Sequence, residues 1–184
     1  MNVVKLCYTI MLATIFSSCS FNCWVGGDKS GVKTKPVTSA DNTTLNGATI
    51  KNDIDLEATG VKLKEAYLLD ANKERLVENI TRVGERIYIV LKLDTGWVKE
   101  NGKSFIGASE RISTESGNVI VDATDVFKDY ETTGISAADA KVISLSAVIT
   151  QADTRVEDFV VRFRVWDKKG NGEIKGKYKF SIKK

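Results

Sequence analysis

The sequence FVVRFRVWDKKGNGEIKGKYKFSI, residues 159–182, decides the fold class of this 184-residue chain. Apolar and polar residues alternate on both sides of DKKGNG (167–172), and a period of two is typical of a β-strand with one buried face. Glycine and asparagine in DKKGNG tolerate the positive φ angles of a tight turn. The segment therefore predicts an antiparallel hairpin. Its inward side chains would be Phe159, Val161, Phe163, Val165, Ile174, Tyr178, Phe180 and Ile182.

The same alternation recurs along the chain before this hairpin. Residues 87–93 and 142–150 each place isoleucine and leucine on one face, and residues 61–69 also alternate. Residues 105–107 and 118–121 are shorter candidates. About seven or eight such strands, separated by turns, predict an all-β fold, an antiparallel immunoglobulin-like β-sandwich. A jelly roll or a small barrel is the alternative. The Cys-Trp-Cys core pattern of true immunoglobulin domains is absent from the sequence, so the analogy concerns architecture only.

Residues 1–18 have the pattern of an export signal. Lys5 precedes the apolar run LCYTIMLATIF (6–16), which has about half of the roughly 20 residues needed to cross a bilayer. The run ends in FSSC (16–19), with small residues before Cys19. This motif resembles the lipobox of bacterial lipoproteins, which implies that the Cys19 sulfur carries a diacylglyceryl group. An ordinary secretory signal is the alternative.

The sequence predicts three regions. Residues 1–18 are the lipoprotein signal peptide, 19–46 are the lipidated cysteine and a flexible tether, and 47–184 are the β-sandwich domain. The predicted tether is rich in glycine, serine, threonine, asparagine and lysine and contains the single proline of the chain. Once Cys7 is removed and Cys19 is modified, Cys23 has no partner, so the fold is expected to stand without a disulfide.

Composition excludes several classes of chemistry. The chain has no histidine, which removes Ser-His-Asp and Cys-His nucleophile systems and zinc sites built on imidazole. The formal net charge of +3 is small for a nucleic-acid-binding protein. The glycines of GNGEIKG (170–176) have neither the spacing nor the strand-to-helix position of a dinucleotide loop. The sequence therefore predicts a protein that is not an enzyme, that has no cofactor and that binds no nucleic acid.

Asp122, Asp125 and Asp129 are the weak candidates for a metal site. Dense carboxylates can bind calcium or can supply the acid pair of a glycoside hydrolase. Because these three lack the ligand spacing of a known calcium loop, the favoured interpretation is a solvated loop without metal, in which Asp125 caps a turn. A carboxylate-based hydrolase is accordingly the least favoured function.

The outward face of the final hairpin is the predicted ligand-binding surface. Its cations and its tryptophan alternate with core residues, and such a face can bind an acidic glycan or lipid phosphates. The alternative is that the lysines protect an exposed edge strand from aggregation. The candidate residues are Arg162, Arg164, Trp166, Lys175, Lys177 and Lys179.

The leader and the predicted sandwich together resemble the small Bacteroidetes envelope lipoproteins with an immunoglobulin-like domain. This resemblance implies a binding or structural accessory role in the bacterial cell envelope, with the lipid on Cys19 inserted in the outer membrane. The first hypothesis is a non-catalytic binding module for a glycan or another anionic envelope component. The alternative is an assembly protein that docks a partner envelope protein through a sheet edge. The side of the membrane that the domain faces stays open.

Overall fold

The computed structural model describes residues 24–25, 43–45, 47–151 and 156–183. It confirms the predicted all-β, antiparallel sandwich, because two six-stranded sheets enclose one hydrophobic core. The predicted signal peptide (1–18) and Cys19 lie outside the described residues. Within those described residues, no helix is long and apolar enough to cross a membrane.

The first sheet, called sheet A, is antiparallel except for one parallel pair near one edge, where residues 49–50 lie beside residues 65–66. Its long central strands bury one face against the core, as the alternation at 87–93 and 142–150 predicts. Its strands, in spatial order, are β1 (Trp24–Val25), β12 (Val142–Val148), β7 (Arg86–Thr95), β5 (Lys62–Leu69), β3 (Ala48–Ile50) and β2 (Thr43–Leu45).

The second sheet, called sheet B, contains the hairpin that the sequence predicts, and it positions the candidate site. Its order is β10 (Val119–Ala123), β9 (Ile106–Thr114), β13 (Val156–Asp167), β14 (Glu173–Lys183) and β4 (Asp55–Thr59), with β6 (Ile80–Arg82) parallel to the end of β14. A short ladder joins β8 (Lys103–Ser104) to β11 (Ile135–Ser136), and 3₁₀ turns occupy Lys128–Tyr130 and Asp139–Lys141.

The length of a strand decides whether its alternating pattern can be recognised in the sequence. Eight of the described strands have five or more residues, which agrees with the predicted seven or eight. The remaining strands have two or three residues, too few for an alternating pattern to show. Two of them, β1 and β2, come from the predicted tether (19–46) and pair with β12 and β3 of sheet A.

The core between the sheets is built on the aromatic side chains of β13 and β14. All eight residues that the alternation places inward are buried. The Phe159 and Phe180 rings stack with centroids 5.5 Å apart, and the Phe163 and Tyr178 centroids lie 6.4 Å apart. Gly176 lies under the Phe163 ring, where an added Cβ would approach Phe163 Cζ to 2.5 Å.

The turn between β13 and β14 lies where the sequence predicts it, but the expected reason was wrong. Gly170, Asn171 and Gly172 do not adopt positive φ angles. Glycine is needed there because neighbouring chain segments approach closely: a Cβ on Gly170 would lie 2.6 Å from Val98 Cγ2, and one on Gly172 would lie 2.8 Å from a Val61 methyl carbon. Tertiary packing, not turn geometry, therefore selects these glycines.

Candidate functional site

The six candidate residues all lie on the outer face of sheet B. Arg162, Arg164 and the three lysines are exposed, and Trp166 is half-buried. The proposed edge protection is wrong, because β14 is an interior strand. It pairs with β13 along its length, with β4 through residues 173–177 and with β6 through residues 181–183. At the position between those two ladders, Asn79 Nδ2 donates to the Lys179 carbonyl at 3.0 Å.

The strand register arranges the charges of this face in rows that run across the strands. The Arg162 row consists of Asp122 on β10, Arg111 on β9, Arg162 on β13, Lys177 on β14 and Asp55 on β4. Along this row the charges are therefore negative at the two ends and positive at the three positions between them. Neighbouring strands lie about 4.8 Å apart, so the three cations are close neighbours.

The Arg164 row lies on the other side of the inward-pointing residues. It consists of Ser109 on β9, Arg164 on β13, Lys175 on β14 and Glu57 on β4. Between the two rows a shallow groove of about 480 Å³ crosses the strands. Because the side chains at its centre point into the core, the strand backbone forms its floor and the two rows form its walls.

Carboxylates pair with most of the cations on this face. Glu173 accepts from Arg164 Nε at 2.5 Å and lies 2.6 Å from Lys175 Nζ. The hydrogen bond from Lys175, with that from Arg164, lowers the pKa of Glu173 against the opposing effect of partial burial.

Three further ion pairs lie on the same face. Lys177 lies 3.1 Å from Asp55, Lys179 lies 2.7 Å from Glu115, and Arg111 lies 3.9 Å from Asp122. Of the five cations among the candidate residues, four therefore pair with a carboxylate: Arg164, Lys175, Lys177 and Lys179. Exposed pairs of this kind contribute little stability.

Arg162 differs from its neighbours. Among the described residues, no carboxylate forms an ion pair with its exposed guanidinium, and its cross-strand neighbours are the cations Arg111 and Lys177. A guanidinium offers a planar set of donors that matches a carboxylate or a phosphate. Arg162 is therefore the cation on this face that is best placed to bind an anion.

Trp166 extends the face beyond the Arg164 row. Its ring packs closely against Gly107, where an added Cβ would approach the ring to 2.3 Å. The Arg164 guanidinium lies 4.8 Å from the ring centroid. Glycine at 107 thus lets the indole lie on the sheet, where its half-buried surface offers an apolar contact beside the cations.

The acidic segment does not assemble a cluster. Asp122 faces Arg111, and Asp125 accepts hydrogen bonds from the N–H groups of Phe127 at 3.0 Å and Ala108 at 3.2 Å. Lys168 Nζ lies 2.7 Å from the other Asp125 oxygen. Burial raises the pKa of Asp125, but the bonds from Lys168, Phe127 and Ala108 outweigh this effect and lower it. Asp125 therefore acts as a structural acceptor, and within the described part of the chain no three potential ligands, including Asp129, converge on one point.

Sequence reasoning missed Glu110, which points into the core from the centre of β9. It is 1% exposed, and within the described part of the chain neither of its carboxylate oxygens has a hydrogen-bond partner; the same holds for the Tyr178 hydroxyl. Burial raises the pKa of Glu110 to about 7. The alternation Ile106, Ala108, Glu110, Ile112 carries the signal, since it places one acid on an otherwise apolar face.

Comparisons with known proteins show no family for this chain. No family model and no curated protein matches the sequence. Among solved structures, the chain is similar to the crystal structure of the C-terminal domain of wzt, with 12% sequence identity and a TM-score of 0.45. The similarity covers 73% of this chain and 80% of that chain. A likeness at this level carries no argument about function.

Proposed function

We propose that the protein is a non-catalytic binding module whose site is the groove on the outer face of sheet B. Its ligand is a glycan or another anionic component of the cell envelope. The observation that carries this proposal is the position of Arg162, exposed between two cations and without a carboxylate partner among the described residues. Like charges directly opposite one another are unfavourable, and a bound anion relieves their repulsion.

Substitution of Arg162 tests this function. Arg162→Gln is expected to weaken binding of an acidic oligosaccharide, such as one with a single central galacturonic acid, by about tenfold or more, because a charge-assisted hydrogen bond contributes about 1.5–3 kcal/mol. Binding by the wild type should also weaken as salt is raised. Isothermal titration calorimetry measures both effects.

The matched control is Arg82→Gln, which removes the same charge from a side chain that is 80% exposed on β6. This variant should bind as the wild type does. Equal affinities for the wild type and Arg162→Gln would show that the groove is not the anion site.

A second candidate function, docking of a partner envelope protein through a sheet edge, has one supporting observation. The strand β10, which lies at the edge of sheet B among the described strands, exposes Val119 (45%) and Ile120 (41%), two apolar side chains beside a backbone edge that pairs with no further described strand. Edges of this kind accept a further strand from another chain. Co-purification of a second chain with the wild-type protein would favour this function over glycan binding.

We also propose that the chain is a bacterial envelope lipoprotein held in the outer membrane by the lipid on Cys19, with 1–18 removed as the signal peptide. The support is the short apolar run that ends in FSSC (16–19). The resemblance to Bacteroidetes envelope lipoproteins belongs to this proposal, and it rests on the leader together with the sandwich fold.

The proposed lipid anchor on Cys19 leads to a direct prediction. Cys19→Ser should abolish incorporation of radioactive palmitate and leave an uncleaved or soluble product, because the acylated sulfur is lost. Cys23→Ser is the matched control and should label as the wild type does. Continued labelling of Cys19→Ser would place the lipid elsewhere.

A further inference from the structure

We infer that the groove selects a ligand with one central anionic group and neutral, hydroxyl-bearing groups on both sides. The chemical class that fits is an acidic sugar flanked by neutral sugars, lying across the strands with its anion on Arg162. This inference rests on the proposed function and specifies its ligand.

The first argument is the order of charges along the groove. Asp122 closes the β10 end, and Asp55 and Glu57 close the β4 end, so both ends are acidic while the centre is cationic. From β10 to β4 there are four strand spacings, which is about 19 Å. A ligand that spans this distance with negative charge along its whole length would place like charges beside the carboxylates at both ends.

The second argument is how the cations are engaged. Lys177 lies 3.1 Å from Asp55, and Arg111 lies 3.9 Å from Asp122, so each outer cation of the row already faces an acid. Arg162 is the cation of this row that has no such partner among the described residues. The Arg162 row can therefore neutralise the full charge of one anionic group.

The third argument is the hydrogen-bonding capacity of the ends. An ionised carboxylate only accepts hydrogen bonds, and a sugar hydroxyl can donate one. Asp55 and Asp122 have exposed side chains, so their oxygens are accessible to a ligand. Neutral hydroxylated groups thus suit the same two ends that repel a second anion.

Three oligosaccharides of equal length test this selectivity: a neutral chain, a chain with a single central uronic acid, and a chain of uronic acids only. At physiological salt, the wild type should bind the single-acid chain about tenfold more tightly than either of the other two. The variant that combines Asp55→Asn with Asp122→Asn should gain affinity for the all-acid chain by about tenfold, with a smaller gain for the single-acid chain.

The outcomes separate this inference from the proposed function. The selectivity is overturned if the wild type prefers the all-acid chain and the double variant keeps that preference unchanged. If binding is nevertheless lost in Arg162→Gln, the anion site of the proposed function stands. If no oligosaccharide binding depends on Arg162, the proposed function fails as well. Vesicles of phosphatidylglycerol are the remaining probe: binding to them through Arg162, without binding of the single-acid chain, would overturn the inference in favour of a membrane surface.

Discussion

The free energy of unfolding is expected to fall by about 3 kcal/mol as the pH rises through the range in which Glu110 titrates. Burial raises the pKa of this carboxyl from 4.5 to about 7. Between these two values the folded state keeps the Glu110 proton and the unfolded chain releases it. Unfolding therefore releases a proton in this window, so the stability that Glu110 contributes is complete below about 4.5 and is lost above about 7.

Other carboxylates act in the opposite direction, so the wild-type curve alone does not isolate this effect. The pKa values of Asp125 and Glu173 are lowered, and these groups lose their contribution to stability as the pH falls. The informative measurement is urea unfolding of the wild type and Glu110→Gln at a series of pH values. The glutamine cannot ionise, so the variant should be the more stable protein above pH 7, and the difference should shrink in acid.

The exposed residue Glu115, which pairs with Lys179, supplies the matched control. Glu115→Gln removes the same charge from the surface and should leave the pH dependence close to that of the wild type. If Glu110→Gln and the wild type lose stability in parallel as the pH rises, Glu110 does not carry a raised pKa in the folded state.

Phe163→Ala is expected to destabilise the sandwich by about 3–5 kcal/mol, because it removes a large side chain from the core and leaves a cavity. The ring is 4% exposed and fills the space over Gly176, which has no side chain to expand into the gap. The neighbouring Tyr178 ring also contacts Phe180 in a tilted arrangement, with centroids 6.3 Å apart, which limits its movement.

The adjacent position provides the control for this substitution. Arg162→Ala alters an exposed side chain on the opposite face of the same strand and should cost well under 1 kcal/mol. Urea unfolding measures both free energies. Equal losses at the two positions would contradict the alternation of buried and exposed residues along β13.

The sequence predicted the faces of the strands well, because alternation records burial directly. Every apolar position assigned to the interior of the final hairpin is buried, and Arg162 and its neighbours are outside. Alternation carries no information about which strands are neighbours. For that reason the sequence allowed β14 to be interpreted as an edge strand. In the structure, β4 pairs with it, although β4 comes from near the start of the domain.

The candidate site was predicted in part for the same reason. The cations were found because they lie in one hairpin, whereas Asp55, Glu57 and Asp122 lie on strands distant in sequence and became visible only through the register. Without them the surface looked uniformly cationic, which favoured an acidic glycan or lipid phosphates as the ligand. Glu110 could have been found, since it interrupts an apolar face. A period of two predicts apolar residues at the inward positions, however, and not a buried acid without a partner.

The position of β14 also determines how the sandwich must fold. This strand contacts β13 through a short turn, but it meets β4 only after a loop of more than one hundred residues has closed. The loss of chain entropy in that closure precedes the gain from burial, and folds dominated by such distant pairings form on the scale of about milliseconds to seconds. Until β4 and β14 meet, each of them presents an unpaired edge that can join another chain. The step that builds the floor of the groove is therefore also the step in which a newly synthesised chain is most exposed to aggregation.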